Sequence, residues 1–178
     1  MQVAEVFRDC AEYFHRNPYR RWFDPLDSLL DAGTGTSYYR GNACHLDLVQ
    51  WATDPVWGRI KDSTVRRALL EDGVPHLRAQ LRQESIRLVL LNGRTVVRQV
   101  QRTRIADLAQ VGVLPLGATT CALFSGQVEH VQFLGWSANL QSSFGVSKGF
   151  RRRLGEWLAE QVAEGRFNRQ ALTATSVA

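Results

Sequence analysis

The chain has 178 residues, with 22 lysines and arginines against 17 acidic side chains and a net charge of +5. With 44% hydrophobic and 22% charged residues it sits near the globular average, which excludes a disordered, collagen-like or coiled-coil chain. At roughly 100–200 residues per domain this length predicts one domain, expected over 1–167, with 168–178 a frayed tail. No apolar run approaches the roughly 18 residues of a membrane span, and no signal peptide opens the chain. A cytoplasmic protein, monomeric and not bound to membranes, is expected. The three cysteines, Cys10, Cys44 and Cys121, are far apart and never spaced Cys-x-x-Cys. That pattern speaks against a disulfide framework, a structural zinc or an iron–sulfur cluster.

In chain order, Val3, Val6, Phe7, Cys10 and Phe14 share one face of a helix predicted over Val3–Arg16. Asn17-Pro18 ends it, because the residue before proline is driven out of the helical region. Asp24-Pro25 predicts the start of a second short helix running through Leu29-Leu30. Ala43 to Val49, bounded by Gly41-Asn42, reads as a buried strand, and Gln50 to Arg59 as an aromatic-rich loop. A helix capped by Asp62 or Ser63 carries Val65, Leu69 and Leu70, breaks near Gly73-Val-Pro75 and resumes through Leu77 and Leu81. Ile86 to Leu91 is the clearest buried strand, followed by Asn92-Gly93 and a helix through Val96, Val97 and Val100. Thr119 to Phe124 and His130 to Gly135 form a hairpin around Ser125-Gly126-Gln127. Ser147 caps a last helix in which Phe150, Leu154, Trp157, Leu158 and Val162 recur at helical spacing.

Strands alternating with helices predict an α/β fold: a three-layer α/β/α sandwich on a small, mostly parallel central sheet. In such sheets ligands bind beyond the carboxyl ends of the strands. This selects the loop after Val49, Asn92-Gly93, and Trp136 to Val146.

The basic side chains are all arginine except Lys61 and Lys148. Arginine forks onto phosphate bidentately, so this charge suits a polyanionic partner; a GC-rich genome produces the same bias. No P-loop, Rossmann fingerprint, nucleophile elbow or His-Glu-x-x-His motif is present. The four histidines are scattered, none at metal spacing with another, and no metal site is expected. Ser137, Ser142 and Ser143 with nearby backbone amides suit a phosphate, and Leu140 suits an apolar wedge between bases. A helix-capping loop with a buried leucine has the same composition. Arg151-Arg152-Arg153 opens the last helix, where a phosphate would offset cations that oppose the helix dipole.

Taken in order, these segments resemble the uracil-DNA glycosylase superfamily, nearest its thymine/mismatch-specific and single-strand-selective branches. Asn17-Pro-Tyr-Arg-Arg-Trp22-Phe23 is similar to that superfamily's Asn-x-Phe-Trp helix start. His45-Leu-Asp-Leu-Val49 with Thr53-Asp-Pro55 looks like its second strand and following loop. Arg87-Leu-Val-Leu-Leu-Asn-Gly93 is similar to its third strand and Asn-Gly turn. Leu134-Gly-Trp-Ser137 with Asn139-Leu140 stands in the place of its last motif, a Pro-Ser step and DNA-intercalating loop. The superfamily's first motif, a Gly-x-Asn/Asp-Pro loop that positions the hydrolytic water, is not found, and Gly135-Trp136 replaces its last-motif histidine. The chain therefore begins downstream of the first motif, or another carboxylate does the work.

The resemblance implies a monofunctional DNA glycosylase that flips out a pyrimidine and excises it hydrolytically, with DNA as partner and neither cofactor nor metal. It places Asp47 at the base edge, where the family-1 branch carries asparagine. An ionised aspartate only accepts hydrogen bonds, so it matches an exocyclic amine better than a carbonyl. The expected substrate is thus a modified cytosine, as in viral DNA, with an antiphage role; a uracil or mismatch repair enzyme and an inactive DNA-binding module are the alternatives. Asp47 is the catalytic candidate, and Phe14 or Phe23 the stacking face, each also suited to core packing. Asn92, Gly93, Ser137 and Ser142 would grip phosphates. Leu140 would fill the vacated stack, and Asn139 and Gln141 would probe the minor groove.

Overall fold

The computed structural model describes residues 12–141 and 146–166. The upstream part of the helix predicted at Val3–Arg16, Ser142, Ser143 and the 168–178 tail lie outside the described residues. A short helix α1 (Tyr13–Arg16) precedes α2 (Arg20–Thr34), α3 (Ser63–Leu81), β1 (Leu88–Asn92) and α4 (Arg94–Arg102). Strands β2 (Ala109–Leu116), β3 (Thr119–Val128) and β4 (Val131–Trp136) and helix α5 (Lys148–Gln161) follow.

The strands form one sheet in the order β1-β4-β3-β2. β1 and β4 run parallel, Leu88 to Asn92 against Gln132 to Trp136. β4 pairs β3 and β3 pairs β2 antiparallel. The α/β class holds, but the expected mostly parallel sheet is a mixed one. Connectivity is the reason. β2, β3 and β4 follow one another through the short turns Gly117-Ala118 and Glu129-His130, which only antiparallel neighbours permit. β4 returns beside β1 after a long excursion, so that pair alone is parallel.

Helices cover both faces of the sheet. Alternation along β4 sends Leu134 and Trp136 into a core with Leu26, Leu29 and Leu30 of α2 and Phe150, Leu154 and Leu158 of α5. Val131 and Phe133 point the other way, onto Leu77 of α3 and Val97 and Val100 of α4. α2 and α5 approach closely because Gly33 has no side chain: a Cβ there would lie 2.7 Å from Leu158 Cβ.

Several predicted elements are corrected. Residues 43–49 form no strand. Ala43 packs on the α2/α5 core and Leu46 and Leu48 on the α3/α4 core, so the segment passes from one face of the sheet to the other. Its backbone joins no ladder of the β1-β4-β3-β2 sheet, and Cys44, His45 and Asp47 are exposed, so no neighbouring strand holds it extended. Helix α2 starts at Arg20 and carries Pro25 inside, rather than starting at Asp24. α3 runs unbroken through Gly73 and Pro75. Pro75 removes one amide donor, but the carbonyl left over belongs to Glu71, which is exposed to water. The β3–β4 turn falls at Glu129-His130, with Glu129 at φ 52, because Ser125 to Val128 continue the ladder to β4. The pattern also does not predict β2. Gly112 and Pro115 interrupt its alternation, features an edge strand tolerates, and its register shifts between Gln110 and Gly112. The strand at Leu88–Asn92, the Gly93 turn into α4, and the Ser147 cap on Phe150 N agree with expectation.

Candidate functional site

The carboxyl ends of the parallel pair β1 and β4 meet at Asn92 and Trp136, aligned in register. The Asn92 side chain makes four hydrogen bonds there. Its Oδ1 accepts from Trp136 Nε1 and from the Leu140 amide, both at 3.0 Å. Its Nδ2 donates to Asn139 Oδ1 at 3.2 Å and to Gln141 Oε1 at 3.0 Å. A primary amide has two donors and two acceptor lone pairs, so Asn92 is saturated. It positions the loop and has no capacity left to grip a phosphate in this conformation.

Gly93 adopts φ 101, which a side chain would strain, and sits 3.6 Å (as a built Cβ) from Asn139 Cβ. That conformation turns its amide to Trp136 O at 3.0 Å and the Arg94 amide to Ser137 O at 3.1 Å. The following amides, of Thr95 and Val96, have no backbone partner among the described residues and form the open start of α4. Ser137 Oγ accepts from the Ala122 amide at 2.9 Å and contacts Cys121 Sγ at 3.7 Å. Its hydroxyl ties the loop to β3, so it too positions rather than grips. Leu140 is fully buried in the α2/α5 core. The intercalating role expected of it is closed to it in this conformation, because Asn92 and Arg151, whose Nη2 donates to Leu140 O, hold its backbone inward.

Asn139 is exposed; its Oδ1 accepts from Asn92 and from the Gln141 amide at 3.0 Å, leaving its Nδ2 toward solvent. Gln141 Nε2 donates to Trp22 O at 3.3 Å. That bond joins the loop to the start of α2, where Trp22 is 43% exposed and Arg20 and Arg21 are exposed. Arg94, exposed, and Arg151, half-buried, stand at this end of the sheet, whereas the Arg20 guanidinium stacks on the Tyr39 ring at 4.5 Å; no acidic residue lies within 92–94 or 136–141.

The second group of predicted residues gathers next to Trp22. Phe23 is buried, edge-on to Phe14 at 4.9 Å and to the His45 ring at 5.4 Å. Phe14 stacks on Tyr38 at 4.7 Å, which occupies one of its faces. His45 Nε2 lies 3.7 Å from Asp47 Oδ1, and the Asp47 side chain is 69% exposed. Asp47 thus stands at the solvent end of an aromatic group, held there by a loop rather than by the predicted strand. Trp22 and His45 belong to this arrangement although the sequence points to no binding role for them, whereas Trp136 and Arg151 stand in stretches it selects. The sequence signal for Trp136 was an indole at a strand end, which needs a hydrogen-bond partner when buried.

Among the described residues no group of three His, Cys, Asp or Glu is placed to hold a metal ion, and no helix is long and apolar enough to cross a membrane. Neither family models, nor characterised proteins, nor solved structures give a match to this chain.

Proposed function

We propose that the protein is a DNA glycosylase that excises a flipped-out pyrimidine, with Asp47 reading the base edge and assisting cleavage. The observation carrying the proposal is the continuity from Asp47 through His45, Phe23 and Trp22 to Gln141 and Asn92. It joins a carboxylate and aromatic faces to an arginine-flanked loop at the carboxyl ends of parallel strands, where α/β sheets bind ligands. The flanking guanidiniums and the open amides of Thr95 and Val96 suit the phosphates on either side of an extruded nucleotide. Asp47 accepts but does not donate while ionised, which favours an exocyclic amine and hence a modified cytosine; an antiphage role follows from that substrate. The reading includes a cytoplasmic monomer working without metal or cofactor.

The test is an abasic-site assay on oligonucleotides carrying uracil, thymine mismatches, cytosine, or hydroxymethylated and glucosylated cytosine. Alkali-labile cleavage at a modified cytosine is expected, with Asp47→Asn lowering it by about 10²–10⁴-fold. Cleavage confined to uracil or mismatches would reassign the enzyme to repair. Burial of Leu140 and saturation of Asn92 favour one second reading, a DNA-binding module without excision. It predicts salt-dependent DNA binding and no abasic sites.

A further inference from the structure

At the opposite end of β4 from Asn92, about 17 Å away at roughly 3.3 Å per residue, lies an open cleft of about 230 Å³. Its rim carries Arg78 and Arg82 from the end of α3, Arg104 from the turn before β2, and Glu129 from the β3–β4 turn. Its floor is apolar, formed by Ile105, Val131 and Phe133, all buried.

Two observations distinguish this cleft from an ordinary solvated face. Arg104 and Glu129, each at φ 52, are the non-glycine residues with positive φ among the described residues, and both line it. Turns of this kind favour glycine or asparagine, so a long charged side chain at each one carries a backbone cost. Strained positions of this sort cluster at ligand clamps. Secondly, Arg78 Nη2 donates to the Thr103 and Arg104 carbonyls, both at 3.0 Å, and so fixes the turn that presents Arg104. The guanidiniums of Arg82 and Arg104 and the Glu129 carboxylate have no side-chain partner among the described residues.

The geometry points to a second ligand site, for a small phosphate monoester carrying one ring. Three guanidiniums against one carboxylate leave the rim cationic. A carboxylate is satisfied by a single guanidinium fork, whereas a phosphate dianion offers three oxygens to several. The ring would lie on Leu81 and Val128, the lining apolar residues that keep exposed surface above the buried floor, and Glu129 would accept from a hydroxyl or amine on it. This site is independent of the glycosylase reading.

Phenyl phosphate is the probe, titrated by calorimetry and by amide chemical shifts of the intact chain. One molecule is expected to bind, perturbing Leu81 and Val128, more tightly than inorganic phosphate or benzoate, with benzyl alcohol not binding. Arg82→Gln and Arg104→Gly should each weaken it by about tenfold or more, while Arg67→Gln, on an exposed part of α3, leaves it unchanged. Arg104→Gly also relieves the positive φ, so its fold should be as stable as the parent's or more so. Absence of phenyl phosphate binding, or binding unchanged in both cleft variants, overturns the proposal. Displacement of phenyl phosphate by duplex DNA would assign these arginines to a DNA surface and overturn it equally.

Discussion

At Asn92 a single amide holds the indole of Trp136 and the backbone of Leu140 with its oxygen, and Asn139 and Gln141 with its nitrogen. Asn92→Asp keeps the shape and the two accepted bonds but turns a carboxylate oxygen toward two carbonyl oxygens. A loss of about 1–3 kcal/mol in stability is expected from the two unmatched acceptors, read by urea denaturation, together with weakened DNA binding as the loop loosens. The saturation that makes Asn92 a positioning residue was not legible in the sequence, where an Asn-Gly turn at a strand end reads equally well as a phosphate grip. Tyr39 offers a second residue-scale test. Burial and then the hydrogen bond its hydroxyl donates to Asp24, at 2.6 Å, raise its pKa from 10.0 to about 12. The fold thus favours the neutral phenol. Its contribution to stability is complete below pH 10.0 and is lost as the pH rises through about 12. Denaturation curves collected across that window should show a steeper alkaline loss for the parent than for Tyr39→Phe.

Between elements, the most consequential contact is that of α3 with the segment carrying Asp47. A Cβ on Gly73 would collide with the Leu48 carbonyl oxygen and press on Val49 Cα at 3.3 Å. Gly73→Ala gains about 1 kcal/mol of helix propensity, but overpacking against backbone costs typically 1–3 kcal/mol. A net loss of stability is therefore expected. Hydrogen exchange should accelerate in residues 43–50 more than within α3; uniform exchange across both would show that the loop does not depend on this contact. The element scale also explains what the sequence discloses. α4 and α5 bury one face each, so their periodicity is plain, and β1 is an apolar run ended by a turn. Residues 43–49 alternate like a strand, yet Cys44, His45 and Asp47 are exposed, because local alternation does not say whether a neighbouring strand exists. β2 is the converse: a ladder with β3 sustains a strand through Gly112 and Pro115 that its own pattern disowns.

For the molecule as a whole, Arg94 and Arg151 stand at one end of the sheet and Arg78, Arg82 and Arg104 at the other, and the DNA reading concerns only the first. If Arg20, Arg21, Arg94 and Arg151 face phosphates, DNA affinity falls linearly on a log–log plot against salt, and each phosphate contact adds about 0.9 to the slope. An Arg21→Gln/Arg94→Gln double variant should then lower the slope by roughly 2, whereas Arg82→Gln should leave it unchanged; equal effects of both would place DNA elsewhere. The sequence by itself determined the α/β class, the helices with one apolar face, the β1 strand with its Gly93 turn, and the residues gathered at the strand ends. These follow from local rules: side-chain periodicity, capping, and the conformations glycine and proline admit. Only the tertiary structure decided the mixed direction of the sheet, the loop character of the Asp47 segment, the burial of Leu140 and the cleft between Arg78, Arg82, Arg104 and Glu129. Each of those depends on which distant residues become neighbours, and pairing and packing across the chain carry no local signature.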